Sequence, residues 1–198
     1  ESAKADFDQA ISMDPKNYDR LIEIYEALAA HGYREVGQEY LQNVLDTAKQ
    51  LDAYDSGRIY YYLGEYQKAY LALDEARDKG GADSYLYLGR AYAATGDYNY
   101  ASSVYNNYLS KQGPNAEIYN ELGLCEMAKK EYQNALAAFQ AGKQIEGNSL
   151  MQTLCFNEIV AYEYLEDYQQ AEVLMNAYLQ NYPDDQTAIR EQQFLSTR

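Results

Sequence analysis

A chain of 198 residues with 31 acidic and 16 basic side chains has a formal net charge of −15. That balance argues against a nucleic-acid partner, whose phosphates need a basic face; it reads first as a solvated acidic exterior and only second as a preference for a cationic partner. The 47% hydrophobic fraction suffices for a buried core, but no apolar run approaches the ~20 residues of a membrane-spanning helix.

From the first residue the pattern is helical. Glu1 to Asn17 reads ESAKADFDQAISMDPKN, with Ala3, Phe7 and Ala10 on one face and Pro15 as a stop. This looks like the second helix of a hairpin whose first helix is missing, so the expectation is a piece of a longer chain. The stripe Ala3, Phe7, Ala10 and Ile11 would then be partly uncovered, able to fray or to pair with a second copy of an otherwise monomeric chain.

Beyond it a phrase returns. Tyr-x-x-Ala occurs at Tyr66–Ala69, Tyr98–Ala101, Tyr132–Ala135 and Tyr168–Ala171, with a degenerate copy at Tyr33–Val36, in steps of 33, 32, 34 and 36 residues. A period in the low to middle thirties marks a helical-hairpin solenoid. In one period, Leu88, Gly89 and Tyr92 share a face of a first helix. Gly96-Asp97 makes a turn, and Tyr98, Ala101, Tyr105 and Tyr108 face inward from a second helix. Gly113-Pro114 closes the unit. At the far end Asp184-Asp185 is positioned to cap a last helix through about Leu195, with Gln192, Gln193 and Arg198 as its polar side.

The series Leu88, Gly89, Tyr92, Ala101, Tyr105, Pro114 resembles the tetratricopeptide repeat (TPR). The likeness continues through Leu122, Gly123, Tyr132, Ala135 and Phe139, with Glu126 where an aromatic is usual. It runs on through Tyr162, Tyr168, Ala171 and Pro183, with Ile159 in the small-residue slot. Upstream, Gly57, Tyr60, Tyr66 and Ala69 match, and a first unit keeps Leu21 and Tyr25 with extra residues at His31-Gly32. The resemblance implies an all-α, right-handed α-solenoid of antiparallel helix pairs over the whole chain. Residues 1–14 would form the second helix of a truncated repeat. The repeats would occupy 15–49, 50–81, 82–115, 116–151 and 152–183, before a capping helix at 184–198.

In that family the first helices line a concave groove. Their groove positions here are Asp19, Glu23 and Glu26; then Tyr54, Arg58, Tyr61 and Tyr62; then Leu86, Arg90 and Ala94. Asn120, Leu124 and Met127 follow, and Phe156, Val160 and Tyr164 end the series. Arg58 and Arg90 hold equivalent slots on the order of 10 Å apart. They could grip a carboxylate or an extended backbone beside tyrosine faces, or each could be consumed by a nearby acid. Lys16 and Arg20 match the Lys and Arg slots of a terminal-carboxylate clamp, although Asp19 and Glu23 beside them would repel a carboxylate.

Chemistry-bearing residues are sparse. His31 is the one histidine, at a turn; Cys125 and Cys155 lack CxxC spacing and histidine companions and read as small buried thiols. No cofactor, metal site or enzymatic motif is read from the chain. The functional expectation is a protein- or peptide-binding scaffold. A glycan- or small-molecule-binding module using Tyr54, Tyr61 and Tyr62 as stacking platforms is the alternative, and a spacer segment of a larger chain is the third. Sparse cysteine fits either an exported bacterial parent chain, the preferred reading, or the cytoplasm.

Overall fold

The computed structural model describes residues 2–77 and 81–198, with residues 2–4 as backbone only. Ala3, the first member of the N-terminal stripe, therefore has its side chain outside the described residues. Twelve helices and no strand are found among the described residues: α1 (Ser2–Met13), α2 (Tyr18–Ala30), α3 (Arg34–Thr47), α4 (Ala53–Tyr62), α5 (Tyr66–Ala76) and α6 (Gly81–Ala94) come first. They are followed by α7 (Tyr98–Gln112), α8 (Ala116–Ala128), α9 (Tyr132–Lys143), α10 (Met151–Tyr164), α11 (Tyr168–Asn181) and α12 (Gln186–Leu195). The helices gather into two compact units, one ending at Ala91 and one spanning Tyr92–Arg198.

Short polar side chains start many of the helices. Asn17, Asp52, Asp97, Asn115, Asp167 and Asp185 each accept a hydrogen bond from a backbone N–H two or three residues on, satisfying donors that the first helical turn leaves open. The turns inside the hairpins are equally regular. Gly32, Gly64, Gly96, Lys130 and Glu166 all have positive φ. After each, the next residue's N–H donates at 2.8–3.0 Å to the carbonyl of Leu28, Tyr60, Tyr92, Glu126 or Tyr162. This is the left-handed helix stop that closes the last carbonyls of a helix. Three turns use glycine, for which the conformation is free; Lys130 at φ 64° and Glu166 at φ 60° hold it with a side chain.

In the first unit α2 packs on α3, α3 on α4 and α4 on α5. In the second, contacts run consecutively from α7 to α12. Third in each second helix after its first residue stand Ala69, Ala101, Ala135 and Ala171, and seventh stand Leu73, Tyr105, Phe139 and Met175, all with 0% exposure. Small residues on the first helices make room for these: a Cβ on Gly57 would come within 2.5 Å of Leu73, and one on Gly123 within 2.3 Å of Phe139. Two layers meet as small against large.

The first hairpin differs from its sequence reading. Its second helix begins at Arg34 after the turn at Gly32, so the phrase falls on Arg34–Gly37 and not on Tyr33–Val36. Gly37 is the buried small residue and Leu41, fully buried, takes the seventh place. On α2 the slot held by Gly57 and Gly123 is Tyr25, and a Cβ on Gly37 would lie 2.9 Å from its ring. Here the first helix carries the large residue and the second the small one, with Leu41 keeping the seventh place.

Helix α1 packs on α2, and Ile11 joins the cluster of Leu21, Tyr25, Leu41 and Ile59. Part of the stripe expected to be uncovered is thus covered by the chain itself. Tyr40 of α3 donates to Asp8 at 2.6 Å, adding a polar tie. In the second unit Glu126, standing at an aromatic slot, is 6% exposed and is held by Ser102 Oγ at 2.8 Å and Lys129 at 2.6 Å. The carboxylate is buried because it is paired.

Candidate binding surface

Arg58 is 6% exposed. Its Nη1 meets Asp19 and its Nη2 meets Asp55, both at 2.5 Å, and its guanidinium lies 4.3 Å from the Tyr54 ring centroid. The two acids hold the guanidinium charged. This guanidinium ties α2 to α4, with only Nε left unsatisfied. Arg90 is half-buried, 6.0 Å from the Tyr87 ring. The other basic pair departs from a carboxylate clamp as well: Arg20 donates to the Ala10 carbonyl at 3.4 Å and so ties α2 to α1.

The tyrosines of the first unit form a connected cluster. Tyr62 lies 5.0 Å from Tyr25, 5.3 Å from Tyr61 and 5.8 Å from Tyr87, with interplanar angles of 57°, 75° and 65°. Tyr61 also lies 5.9 Å from Tyr66. Edge-to-face arrangements suit the ring quadrupole. The Tyr62 hydroxyl donates to Glu26 at 2.6 Å and is 3.1 Å from that of Tyr87. Burial first, and then the Glu26 carboxylate, push the Tyr62 pKa far upward, so this hydroxyl stays a donor. Between the end of α2, the start of α3 and the α4–α5 turn opens a cleft of about 500 Å³. Glu26, Tyr61 and Tyr62 are groove positions expected from the sequence; in the cleft Tyr25, Arg34, Gln38 and Tyr66 join them.

In the second unit Asn157 donates to Asn120 at 2.9 Å, which binds α10 to α8. Of the candidate groove residues, Asn120 is buried, and in the first unit Leu86 is too, at 3% exposure. Phe156 packs on Tyr178 at 5.8 Å, and Met127 packs against the cluster of Leu136, Phe139 and Leu154. Val160 is half-buried. Leu124 is 43% exposed and Tyr164 57%, the latter ring stacked 5.0 Å from Tyr132.

Both cysteines are free thiols. Burial pushes Cys125 up to about 12 and raises Cys155, which shares its surroundings with the Lys143–Glu158 ion pair. His31 is exposed and bonds the Ala27 carbonyl at 2.8 Å. Among the described residues no helix is long and apolar enough to cross a membrane, and no cluster of side chains is placed to hold a metal ion.

The profile of the Tetratricopeptide repeat family matches residues 54–101 and 88–148. No protein of curated function matches the chain. Solved structures do. A chain of the APC/C hetero-tetramer Cut9-Hcn1 is similar with a TM-score of 0.67 at 17% identity, over 98% of this chain and 39% of that one. The present chain therefore spans well under half the length of that relative. YrrB, described as a TPR protein with an unusual peptide-binding site, gives 0.61 at 18% identity, over 94% of this chain and 97% of its own. The second TPR domain of human RPAP3, solved with the HSP70 peptide SGPTIEEVD, gives 0.54 at 17% identity, over 60% and 97%. Five left-handed hairpin turns, the recurring Ala and large-residue positions, the family match and these neighbours lead to one assignment: the chain is an all-α helical-repeat solenoid and belongs to the tetratricopeptide repeat proteins.

Proposed function

We propose that the chain is a non-catalytic scaffold that binds a peptide or protein segment along the first helices of its hairpins. The observation that carries this reading is the face of α8 and α10. The Asn120–Asn157 bond fixes the two helices side by side, while Leu124 and Tyr164 remain exposed. An aliphatic and an aromatic side chain held open on paired first helices suit the apolar anchors of an extended segment or partner helix. That YrrB and the RPAP3 domain are described with peptide sites supports the same use of the fold. Sugar stacking at Tyr61 and Tyr62 is less well supported, because the two rings stand at 75° to each other and offer no flat platform for a sugar.

Peptide display against the immobilised chain, followed by calorimetry, tests the reading. Leu124→Glu/Tyr164→Ala should weaken a selected peptide by about tenfold or more, as loss of its hydrophobic anchors implies. Unchanged affinity in a folded variant would move the binding surface elsewhere.

A further inference from the structure

The cleft of the first unit holds charged side chains that repeat packing does not explain. Tyr25, Tyr61, Tyr62 and Tyr66 wall it with rings that are tilted or perpendicular to their neighbours. Tyr25 is buried beneath the cleft and Tyr61, Tyr62 and Tyr66 are half-buried around it, and electron-rich rings of this kind attract a cation. Glu26 stands among them. One of its oxygens accepts from Tyr62 at 2.6 Å, which fixes the carboxylate, and no basic side chain pairs with it among the described residues. α3 contributes Arg34 and Gln38. Arg34 also lacks an ion-pair partner among the described residues, and it sits in the first turn of its helix, where a positive charge is disfavoured by the helix dipole.

An unpaired carboxylate and an unpaired guanidinium share one cleft without neutralising each other. Such a site fits a ligand that carries a cation and, a few atoms away, carbonyl acceptors. A lysine or arginine residue within a peptide has both. We propose that this cleft receives a basic side chain of a bound segment, its charge against Glu26 and the tyrosine faces and its backbone carbonyls against Arg34 and Gln38. The assignment rests on the peptide-binding reading and gives it a chemical preference. A chain with net charge −15 draws such segments by long-range attraction as well.

The test is a titration of the isotope-labelled full chain, followed by NMR, with acetyl-Gly-Gly-Lys-Gly-Gly-amide. The same peptide with norleucine in place of Lys, and maltotriose, serve as parallel probes. The lysine peptide should shift Glu26, Tyr61 and Tyr66 resonances saturably, and the norleucine peptide should bind about tenfold more weakly. Glu26→Gln, whose amide oxygen still accepts from Tyr62, should lose severalfold affinity at an unchanged melting temperature. Equal binding of the norleucine peptide would overturn the proposal, as would shifts confined to other residues or no shift from either peptide. Maltotriose moving the same resonances in place of the peptide would make the cleft a glycan site. None of these failures touches the face of α8 and α10, so the scaffold reading and the cleft are tested separately.

Discussion

Gly123 offers the sharpest check on the packing of the hairpins. A Cβ there would sit 2.3, 2.6 and 2.7 Å from three ring atoms of Phe139, which has 0% exposure. Ordinary contact begins near 3.4 Å, so the ring must move by roughly 1 Å into a filled core, an overpacking that costs about 2–3 kcal/mol. Alanine returns about 1 kcal/mol of helix propensity. Gly123→Ala should therefore destabilise by about 1–2 kcal/mol net. Gly142→Ala in the same hairpin is the internal control. Its Cβ would meet the branch ends of Leu154 at 3.0 and 3.1 Å and Tyr119 Cβ at 3.3 Å, shifts of a few tenths of an ångström, and it should cost clearly less than Gly123→Ala. Phe139→Leu in the Gly123→Ala background should recover part of the loss, since the clash is with the ring. Urea denaturation followed by far-UV circular dichroism reads all four proteins. If Gly123→Ala gains stability, or matches Gly142→Ala, the small-against-large contact is not where it has been placed.

Three other outcomes are expected. Lys130→Gly and Glu166→Gly should each stabilise by about 0.5–1 kcal/mol in the same assay, by relieving a left-handed backbone at some cost in chain entropy. Arg58→Ala should cost about 3 kcal/mol by stranding Asp55 and leaving a cavity, whereas Arg58→Met, which strands Asp55 too but refills the space, should cost clearly less; equal losses would put the whole cost on the broken ion pairs and none on packing. Glu163 gives a pH dependence: burial, and then the Glu191 carboxylate, push it from an ordinary 4.5 up to about 7. A carboxyl raised on folding contributes stability in full below about pH 4.5 and loses it as pH rises through about 7. Glu163→Gln should thus gain about 1 kcal/mol on wild type at pH 8, the effect being reduced by the partial exposure of the site, and nothing at pH 4; no difference between these pH values would refute the assignment.

The period of the chain was legible because each hairpin repeats a physical requirement. An Ala must lie where two helices approach, a large residue one turn later must fill the gap, and a left-handed turn favours Gly. Where those roles are filled by the expected residue types, at Gly96, Ala101 and Tyr105, sequence and structure coincide. The first hairpin misled because Tyr33 and Val36 imitate the phrase while the requirement is met one residue later, by Gly37 against Tyr25. That exchange is a property of a pair and cannot be seen in either residue alone. Arg58 shows the same limit for charge. Acids are plentiful, but which two converge on a guanidinium depends on how α2 lies against α4. The cleft was the least legible feature, since its lining comes from α2, α3, α4 and α5. Arg34 and Gln38 carry no pattern of their own. The division at Ala91 falls inside α6, where no change of composition marks it.

Site-specific photo-crosslinking tests the central claim most directly. Leu124→p-benzoylphenylalanine places the probe on a first helix, and Val173→p-benzoylphenylalanine places it on a second helix at a position that is 58% exposed. With a display-selected peptide bound, the account predicts a cross-link from position 124 and none from 173. A cross-link from 173 alone would put the partner on the second helices and contradict it.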